Sequence, residues 1–215
     1  CALPIYLGHG WTAHAALTRG VQIRAGDTVF ISSAAGAIGS MAGQIARLLG
    51  AGRVIGSTSA SAKADRLVAE LGYDAAVIRG TDKSFVAQLR EAAPDGIDVY
   101  FDNVGGDHLE AAIAAMRVDG RVAMCGAIAQ YNSTEPPAAP RNLALAIGKR
   151  LTLRGFIVGK YAAQVREEFQ QRMTGWIAAD EIRWDETVRE GLDAAPQAFM
   201  DMLTGANTGK MLVRL

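Results

Sequence analysis

The feature that most constrains this chain is a glycine-containing turn between an apolar run and an amphipathic segment. Residues 29–31 are all apolar, which is typical of a strand buried on both faces, and apolar residues recur at helical spacing after Gly39. Gly36 and Gly39 occupy the second and third positions of a G-x-G-x-x-G pattern whose first position is Ala34. Such a turn lets backbone N–H groups approach a pyrophosphate at a helix N-terminus. It also occurs where a helix simply packs on a strand, so the pattern alone leaves both interpretations open.

The rest of the chain alternates short apolar runs with segments of helical periodicity. Further strands are predicted at 53–57, 75–78, 97–102, 121–125 and 151–158, and helices at 11–18, 62–71, 84–92, 109–116 and 143–149. A turn is predicted at 119–120 and a long loop at 126–141, which contains a Pro136-Pro137 pair. The final part is predicted to contain helices at 162–178 and 195–204, an extended piece at 182–184 and a strand at 210–215. This alternation predicts an α/β fold, a doubly wound parallel sheet of Rossmann-like type with a C-terminal extension.

Charge and composition exclude several classes of protein. Lys plus Arg equals Asp plus Glu at 22 each, so no excess charge attracts nucleic acid or an anionic membrane surface. The apolar runs are shorter than the roughly 20 residues that span a bilayer. Cys1 and Cys125 are too few for a disulfide framework, and His9, His14 and His108 lack partners at metal-ligand spacing and are expected to be packing or surface residues. We expect a cytoplasmic protein with a small-molecule substrate and without a metal, nucleic-acid or membrane partner.

The segment after the second predicted strand indicates which dinucleotide the turn would bind. In NAD enzymes an Asp or Glu at this point bonds the ribose 2′-hydroxyl. Residues 56–63 read Gly-Ser-Thr-Ser-Ala-Ser-Ala-Lys and contain no acid. Hydroxyl groups followed by Lys63 suit a 2′-phosphate, which favours NADP(H). The alternative is a serine-rich turn that caps the next helix, with Lys63 solvated in its first turn.

Several segments of the chain together carry a resemblance to one family. They are Ser-Ala-Ala-Gly-Ala-Ile-Gly at 33–39, Phe-Asp-Asn-Val-Gly-Gly at 101–106, Cys-Gly-Ala-Ile-Ala-Gln-Tyr-Asn at 125–132, Gly-Ala-Asn-Thr-Gly-Lys at 205–210, and shorter matches at 43–44, 155–158 and 190–199. This set resembles the zinc-independent medium-chain dehydrogenase/reductases, and among them the NADPH-dependent prostaglandin, alkenal and curcumin double-bond reductases. The similarity runs from about residue 5 to the C-terminus.

The resemblance implies a domain organisation. In this family the first half of the subunit is a separate, mostly β domain that helps to close the substrate cleft, and this chain is expected to lack it. Residues 1–10 are then a remnant of that preceding domain and residues 11–160 an NADP(H)-binding Rossmann domain. Residues 161–215 form C-terminal helices and a final strand that would pack towards the missing catalytic domain. A homodimer joined through the edge strand 151–158 is expected.

The resemblance also implies which residues contact the cofactor. The pyrophosphate turn is matched by Gly36, Ala37, Ile38 and Gly39, and the lysine that meets the 2′-phosphate by Lys63. Arg79 stands where many members have a tyrosine that touches the same phosphate. The remaining matches run along the nicotinamide half of the cofactor or lie near the chain end: Asn103, Cys125, Gly126, Ala127, Ile128, Ala129, Gln130, Tyr131, Phe156, Ile157, Val158 and Asn207.

The reaction implied is hydride transfer from the nicotinamide to the β-carbon of an α,β-unsaturated carbonyl compound. Tyr131 matches a tyrosine that helps to stabilise or protonate the resulting enolate, and a phenol is a neutral donor at pH 7 because its ordinary pKa is about 10. The alternative for Tyr131 is that it only fixes the cofactor geometry. Two other functions remain open, an NADPH quinone reductase and a catalytically silent NADPH-binding module. The fragment alone is expected to be inactive.

Overall fold

The computed structural model describes residues 5–135 and 139–215, with only the backbone described at residues 5–7 and 162. Cys1 and the Pro136-Pro137 pair lie outside the described residues. A six-stranded sheet forms the centre of the molecule, with strands β1 Thr28–Ile31, β2 Arg53–Thr58, β3 Ala75–Ile78, β4 Ile97–Asp102, β5 Met116–Met124 and β6 Thr152–Gly155. All neighbours are parallel, in the order β3-β2-β1-β4-β5-β6. This is the order of doubly wound dinucleotide-binding folds, so the predicted fold class is confirmed.

Helices cover both faces of this sheet. Their bounds are α1 Trp11–Ala15, α2 Ala37–Leu48, α3 Ser61–Glu70, α4 Phe85–Ala92, α5 Gly106–Ala115, α6 Leu145–Gly148, α7 Ala162–Ala178 and α8 Ala195–Leu203. Helix α1 lies between two π-helical turns, Ile5–Gly10 and Ala16–Gly20. Short 3-10 turns occur at Ile128–Gln130, Val158–Tyr161 and Leu192–Ala194. None of the helices within the described ranges is long and apolar enough to cross a membrane.

The apolar run of β1 is explained by two separate cores, one on each face of the sheet. Val29 and Ile31 belong to the core that α1, α2 and α7 share, whereas Phe30 belongs to the core under α4 and α5. Phe30 stacks on Tyr100 of β4 with ring centroids 4.8 Å apart. Because successive side chains of a strand point to opposite faces, a strand covered on both faces must be apolar at every position.

The C-terminal part docks on the same framework. Phe169 and Met173 of α7 are buried in the core that contains α1 and α2. The buried amide of Gln44 in α2 donates to the carbonyl of Arg183 (2.9 Å) and accepts from its backbone N–H (2.7 Å). A second sheet pairs β7 Glu186–Glu190 with β8 Lys210–Arg214 in parallel. Contact with a preceding domain stays a prediction for this part of the chain.

The structure corrects four of the predicted segments. Met116 begins β5 instead of ending α5, and the predicted turn at 119–120 lies inside that strand, where Asp119 has a φ of +62° and the pairing with β4 shifts register. Strand β6 ends at Gly155 and is followed by a 3-10 turn. Residues 182–184 form no strand, and β7 follows instead; its sequence Glu-Thr-Val-Arg-Glu has little apolar character, so it gave no strand signal.

Candidate functional site

The turn between β1 and α2 places an open helix N-terminus at the carboxyl edge of the sheet. Ser33 has a φ of +53° and accepts the backbone N–H of Gly36 at 3.0 Å, while the N–H of Ala34 binds the carbonyl of Ser57 in β2 at 2.8 Å. The N-cap of α2 is Gly36, no side chain among the described residues caps it, and the first turn carries no acid. The first N–H groups of a helix lack intrahelical partners, and the helix dipole is positive there. This end of α2 therefore attracts an anion.

Glycine is favoured at the two positions of the turn for different steric reasons. A Cβ at Gly39 would lie 2.3 Å from the carbonyl oxygen of Ser33, so the turn itself requires glycine there. A Cβ at Gly36 would lie 3.1 Å from the Ser33 hydroxyl oxygen, a milder contact. Ala34 can replace the first glycine because its φ is not positive. A Cβ at Gly43 would lie 2.2 Å from the ring of Tyr73, so Gly43 makes room for that ring.

A cleft of about 490 Å³ follows the carboxyl ends of β1, β2, β4 and β5. The structure brings most of the predicted site residues together along it: Gly36, Ala37, Ile38, Gly39, Lys63, Arg79, Asn103, Cys125, Gly126, Ile128, Ala129, Tyr131 and Asn207. The other predicted residues do not line it, namely Ala127, Gln130, Phe156, Ile157 and Val158. Phe156 is buried against Tyr161 (ring centroids 5.5 Å apart), and Ile157 is 73% exposed. Their contact with a cofactor stays a prediction.

The end of β2 and the first turn of α3 supply a hydroxyl and a cationic group to the cleft. Ser57 is fully buried, and its hydroxyl accepts the N–H of Ser33 at 3.3 Å. Lys63 donates from Nζ to the carbonyls of Gly205 and Asn207, each at 2.6 Å, and burial lowers the pKa of its ammonium. The alternative in which serines cap α3 is not observed, because the N-cap is Ala60 and no side chain of the described residues caps that helix.

A buried carboxylate organises the carboxyl ends of the central strands. Asp102 is 1% exposed, and its Oδ1 accepts from the Tyr100 hydroxyl (2.6 Å) and from the backbone N–H groups of Val104 (3.0 Å) and Gly105 (2.8 Å). Its backbone carbonyl accepts from the N–H of Cys125 at 2.8 Å. Burial and the charge of Asp102 raise the pKa of Tyr100 well above its ordinary value. Sequence reasoning missed this network, although a carboxylate closing a buried apolar strand was a visible signal.

Asn103 ties the same region to β1. Its backbone N–H donates to the Ser32 hydroxyl at 2.8 Å, and its side-chain amide donates to the Ser32 carbonyl at 2.9 Å. Ser32 directly follows β1 and Asn103 directly follows β4, the two neighbouring strands between which the strand order reverses. Ligands of open α/β sheets bind in the crevice at such a point.

Three reactive side chains of the cleft differ in their environments. Burial and the nearby Asp102 raise the pKa of the Cys125 thiol to about 11, so it stays protonated at neutral pH. Burial and the charge of Arg79 lower the pKa of His108 to about 4, and its ring lies 4.4 Å from that of Phe85. Tyr131 is 67% exposed, and its hydroxyl accepts the N–H of Ala127 at 3.4 Å. Tyr131 is therefore an accessible phenol at the mouth of the cleft.

The segment between α8 and β8 closes one wall of the cleft. Gly209 has a φ of +63°, its N–H donates to the carbonyl of Ala35 at 2.8 Å, and it bridges Gly36. A Cβ at Gly209 would lie 2.0 Å from the carbonyl oxygen of Asp185. The side chain of Asn207 donates to the carbonyl of Gly209 at 2.9 Å. Sequence reasoning selected only Asn207 here and missed Met202, Gly205, Gly209, Lys210 and Met211, which also line the cleft.

The predicted absence of a metal stays a prediction. In residues 5–135 and 139–215, no group of three or more His, Cys, Asp or Glu side chains is placed to hold a metal ion. His14 is fully buried between the rings of Phe169 (5.6 Å) and Trp176 (6.3 Å). It is therefore a packing residue of the core.

The chain is similar in sequence and in structure to several known proteins. The family described as zinc-binding dehydrogenase matches residues 37–179. Prostaglandin reductase 1 of Mus musculus is 42% identical over 206 residues, which are 95% of this chain and 62% of that protein. The NADP(+)-dependent 2-alkenal reductase of Nicotiana tabacum is 37% identical over 204 residues, 95% of this chain and 59% of that protein. The crystal structure of CurA from Vibrio vulnificus in complex with NADPH has a TM-score of 0.89 at 37% identity and covers 96% of this chain and 62% of that one. The chain thus spans about three fifths of the length of these proteins.

Proposed function

The chain belongs to the zinc-binding dehydrogenase family, and from that premise we propose that it binds NADPH in the cleft at the carboxyl ends of its parallel strands. The observation that carries the proposal is the N-terminus of α2, which no described side chain caps and whose first residues line the cleft. Its N–H groups fit a pyrophosphate. Lys63 and Arg79 fit a 2′-phosphate, and residues 56–63 after β2 contain no acid that would repel it. Support also comes from the similar CurA structure, which is a complex with NADPH.

The relatives of this chain are longer polypeptides, and the reaction that we propose is one for a polypeptide of that length. It is the reduction of the C=C bond of α,β-unsaturated carbonyl compounds, the class to which 2-alkenals belong. NADPH, when bound, supplies the hydride. The accessible phenol of Tyr131 at the cleft is the group of this chain that would donate a hydrogen bond to the carbonyl oxygen of the substrate. Asn103 and the 125–126 turn, which Asp102 and Ser32 hold in place, would orient the nicotinamide half of the cofactor.

Binding is tested on the 215-residue chain by fluorescence titration with NADPH and NADH. We expect saturable binding of NADPH that is at least tenfold tighter than binding of NADH, since one charged hydrogen-bonded contact contributes about 1.5–3 kcal/mol. Equal affinity for the two dinucleotides would contradict the assignment of the 2′-phosphate site. Absence of binding would contradict the whole proposal.

The reaction is tested in the intact polypeptide by following NADPH oxidation with a 2-alkenal and, separately, with a quinone. Faster turnover of the alkenal supports double-bond reduction, whereas turnover of the quinone alone supports the alternative of a quinone reductase. If the Tyr131→Phe variant kept the wild-type turnover number at saturating NADPH, Tyr131 would have no chemical role and would only fix the geometry of the cofactor.

We further propose that the chain forms a homodimer through β6. This strand lies at the edge of the described sheet, and Ile147 and Ile157, which flank it in sequence, are 82% and 73% exposed. An edge strand with exposed apolar neighbours offers unpaired backbone groups and apolar area to a second copy. The cytoplasmic location expected from the sequence stays a prediction.

A further inference from the structure

A cavity separate from the cleft lies on the face of the sheet where β5 pairs with β6. It has a volume of about 200 Å³, and its walls are the turn at 20–22 and residues of those two strands. None of the residues that line this β5–β6 cavity lines the cleft. The groups that would hold a dinucleotide therefore give no account of it.

Two arginines and a threonine form the strand wall of the β5–β6 cavity. Arg121 of β5 pairs in register with Thr152 of β6, and Arg154 follows Thr152 by two residues. Because side chains alternate between the two faces of a sheet, these three side chains lie on one face. They all line the cavity, and no Asp or Glu of the described residues lines it. This wall is therefore cationic.

The two arginines differ in how far their charge is compensated. The Arg121 side chain is 12% exposed and donates to a carboxylate oxygen of Asp27 at 2.6 Å and to the carbonyl of Gln22 at 3.1 Å. Arg154 is exposed, and within the described part of the chain it donates only to the carbonyl of Arg19, at 3.2 Å. Its charge has no carboxylate partner there, so most of its five N–H groups are left for another acceptor.

Two further polar side chains line the cavity. The Thr152 hydroxyl and the side-chain amide of Gln22 make no hydrogen bond with the described residues. Gln22 has a φ of +53°, a backbone conformation that is uncommon for a residue with a Cβ. Hydrogen-bond donors thus reach the cavity from β5, from β6 and from the turn at 20–22.

The number and spread of these donors indicate the shape of the ligand. A carboxylate has two oxygens in one plane, and one guanidinium satisfies both of them through parallel hydrogen bonds. A tetrahedral oxyanion has oxygens in several directions and can accept from donors on different elements of the fold. The β5–β6 cavity has donors of the second kind.

We propose that the β5–β6 cavity binds a small tetrahedral oxyanion of the phosphate or sulfate class, with Arg154 and Arg121 as its cationic contacts and Thr152 and Gln22 as further donors. The inference does not rest on the proposed function, since none of these residues lines the cleft. Pairing of two β6 strands edge to edge would use backbone groups and leave the faces of the sheet, where these side chains lie, uncovered.

The binding is tested by titrating the ¹⁵N-labelled 215-residue chain with inorganic phosphate at constant ionic strength and following its NMR signals. We expect saturable shifts of the backbone amides at 20–22, 121–122 and 152–154. The expected dissociation constant is about 1 mM, because two charged contacts in a solvated site give a modest net affinity. Sulfate should bind comparably, and acetate at least tenfold more weakly.

Arg154→Gln is the decisive variant, because it removes a charge without breaking any ion pair of the described residues. We expect it to weaken phosphate at least tenfold, and Thr152→Val to weaken phosphate about threefold, as for loss of a neutral hydrogen bond. Arg154→Lys, which keeps the charge, should retain part of the affinity. The matched control is Arg90→Gln, since Arg90 is an exposed residue of α4 without an ion pair in the described part of the chain. It should leave the dissociation constant unchanged.

The same titrations separate this site from the cleft. Equal affinity of the wild-type chain and Arg154→Gln for phosphate would contradict the inference. So would shifts confined to 36–39 and 63, or competition by NADPH, because the anion would then lie in the cleft. Phosphate binding that is unchanged by NADPH and lost in Arg154→Gln supports the inference. A chain that binds phosphate in this way but no NADPH would overturn the proposed function alone.

Discussion

At the scale of single residues, the glycines of the phosphate turn allow a graded test. A Cβ at Gly39 would lie 2.3 Å and 2.5 Å from backbone atoms of Ser33 and Ala34, whereas at Gly36 the nearest atoms are 3.1 Å and 3.2 Å away. We expect Gly39→Ala to lower the free energy of unfolding by about 1–3 kcal/mol, because backbone atoms must move, and to abolish NADPH binding. Gly36→Ala should keep the fold and weaken NADPH, because its methyl group lies at the N-terminus of α2. Urea unfolding and NADPH titration measure both effects.

Gly148 in α6 provides the matched control, since a Cβ there meets no atom of the described residues within 4 Å. Gly148→Ala should leave the dissociation constant of NADPH unchanged and should not destabilise the chain. If Gly39→Ala were as stable as Gly148→Ala, the close approach in the turn would not be a constraint on the fold.

At the scale of elements, the edge strand β6 is the dimer interface that we propose. Ile147 and Ile157 flank this strand and are highly exposed. We expect the wild-type chain to be a dimer and the double variant Ile147→Lys, Ile157→Lys to be a monomer, because two cations per copy would face each other across the interface. Sedimentation velocity measures the change.

Val68→Lys is the control for that experiment. Val68 is an apolar residue of α3 and is 47% exposed. Helix α3 connects β2 and β3, which lie at the other end of the strand order from β6. Its replacement should leave the dimer intact. A wild-type monomer, or a double variant that still dimerises, would show that β6 is not the interface.

At the scale of the whole molecule, two buried histidines couple folding to pH. Burial lowers the pKa of both His14 and His108 to about 4, against about 6.5 in an unfolded chain. Between these values the unfolded state binds more protons, so stability is full above pH 6.5 and falls as the pH drops towards 4. Within that window each histidine contributes a slope of up to about 1.4 kcal/mol per pH unit. Urea unfolding at pH 7.5, 6.0 and 5.0 should show the loss.

The variant His14→Phe isolates one of the two contributions. Both ring nitrogens of His14 lack a hydrogen-bond partner in the described part of the chain, and the ring lies among Phe169 and Trp176. Phenylalanine should therefore fold and should reduce the pH slope by about half. Burial raises the pKa of Asp185, which acts in the opposite sense near pH 4, so the measurements stay at or above pH 5. An unchanged slope in His14→Phe would mean that His14 does not titrate between the two states.

The sequence by itself determined the architecture and the position of the candidate site. Apolar runs of the length of β1 and β4, each followed by helical periodicity, allow few arrangements other than a parallel sheet covered on both faces, because every strand position must be buried. The glycine turn and the missing acid after β2 likewise located the cleft and its cationic end. These signals are local, since each lies within one strand, one turn or one helix.

Only the tertiary structure decided which groups are already committed to partners. Lys63 bonds carbonyls more than 140 residues away, Tyr73 fills the space that Gly43 leaves, and the Gln44 amide bonds the backbone of Arg183, 139 residues away. The polar strand β7 forms because β8 pairs with it, and no pattern in its own residues predicted it. Hydrogen bonds and packing between distant segments depend on which parts of the chain the fold brings together. A pattern within one segment contains no information about its distant partners, so these contacts could not be predicted from it.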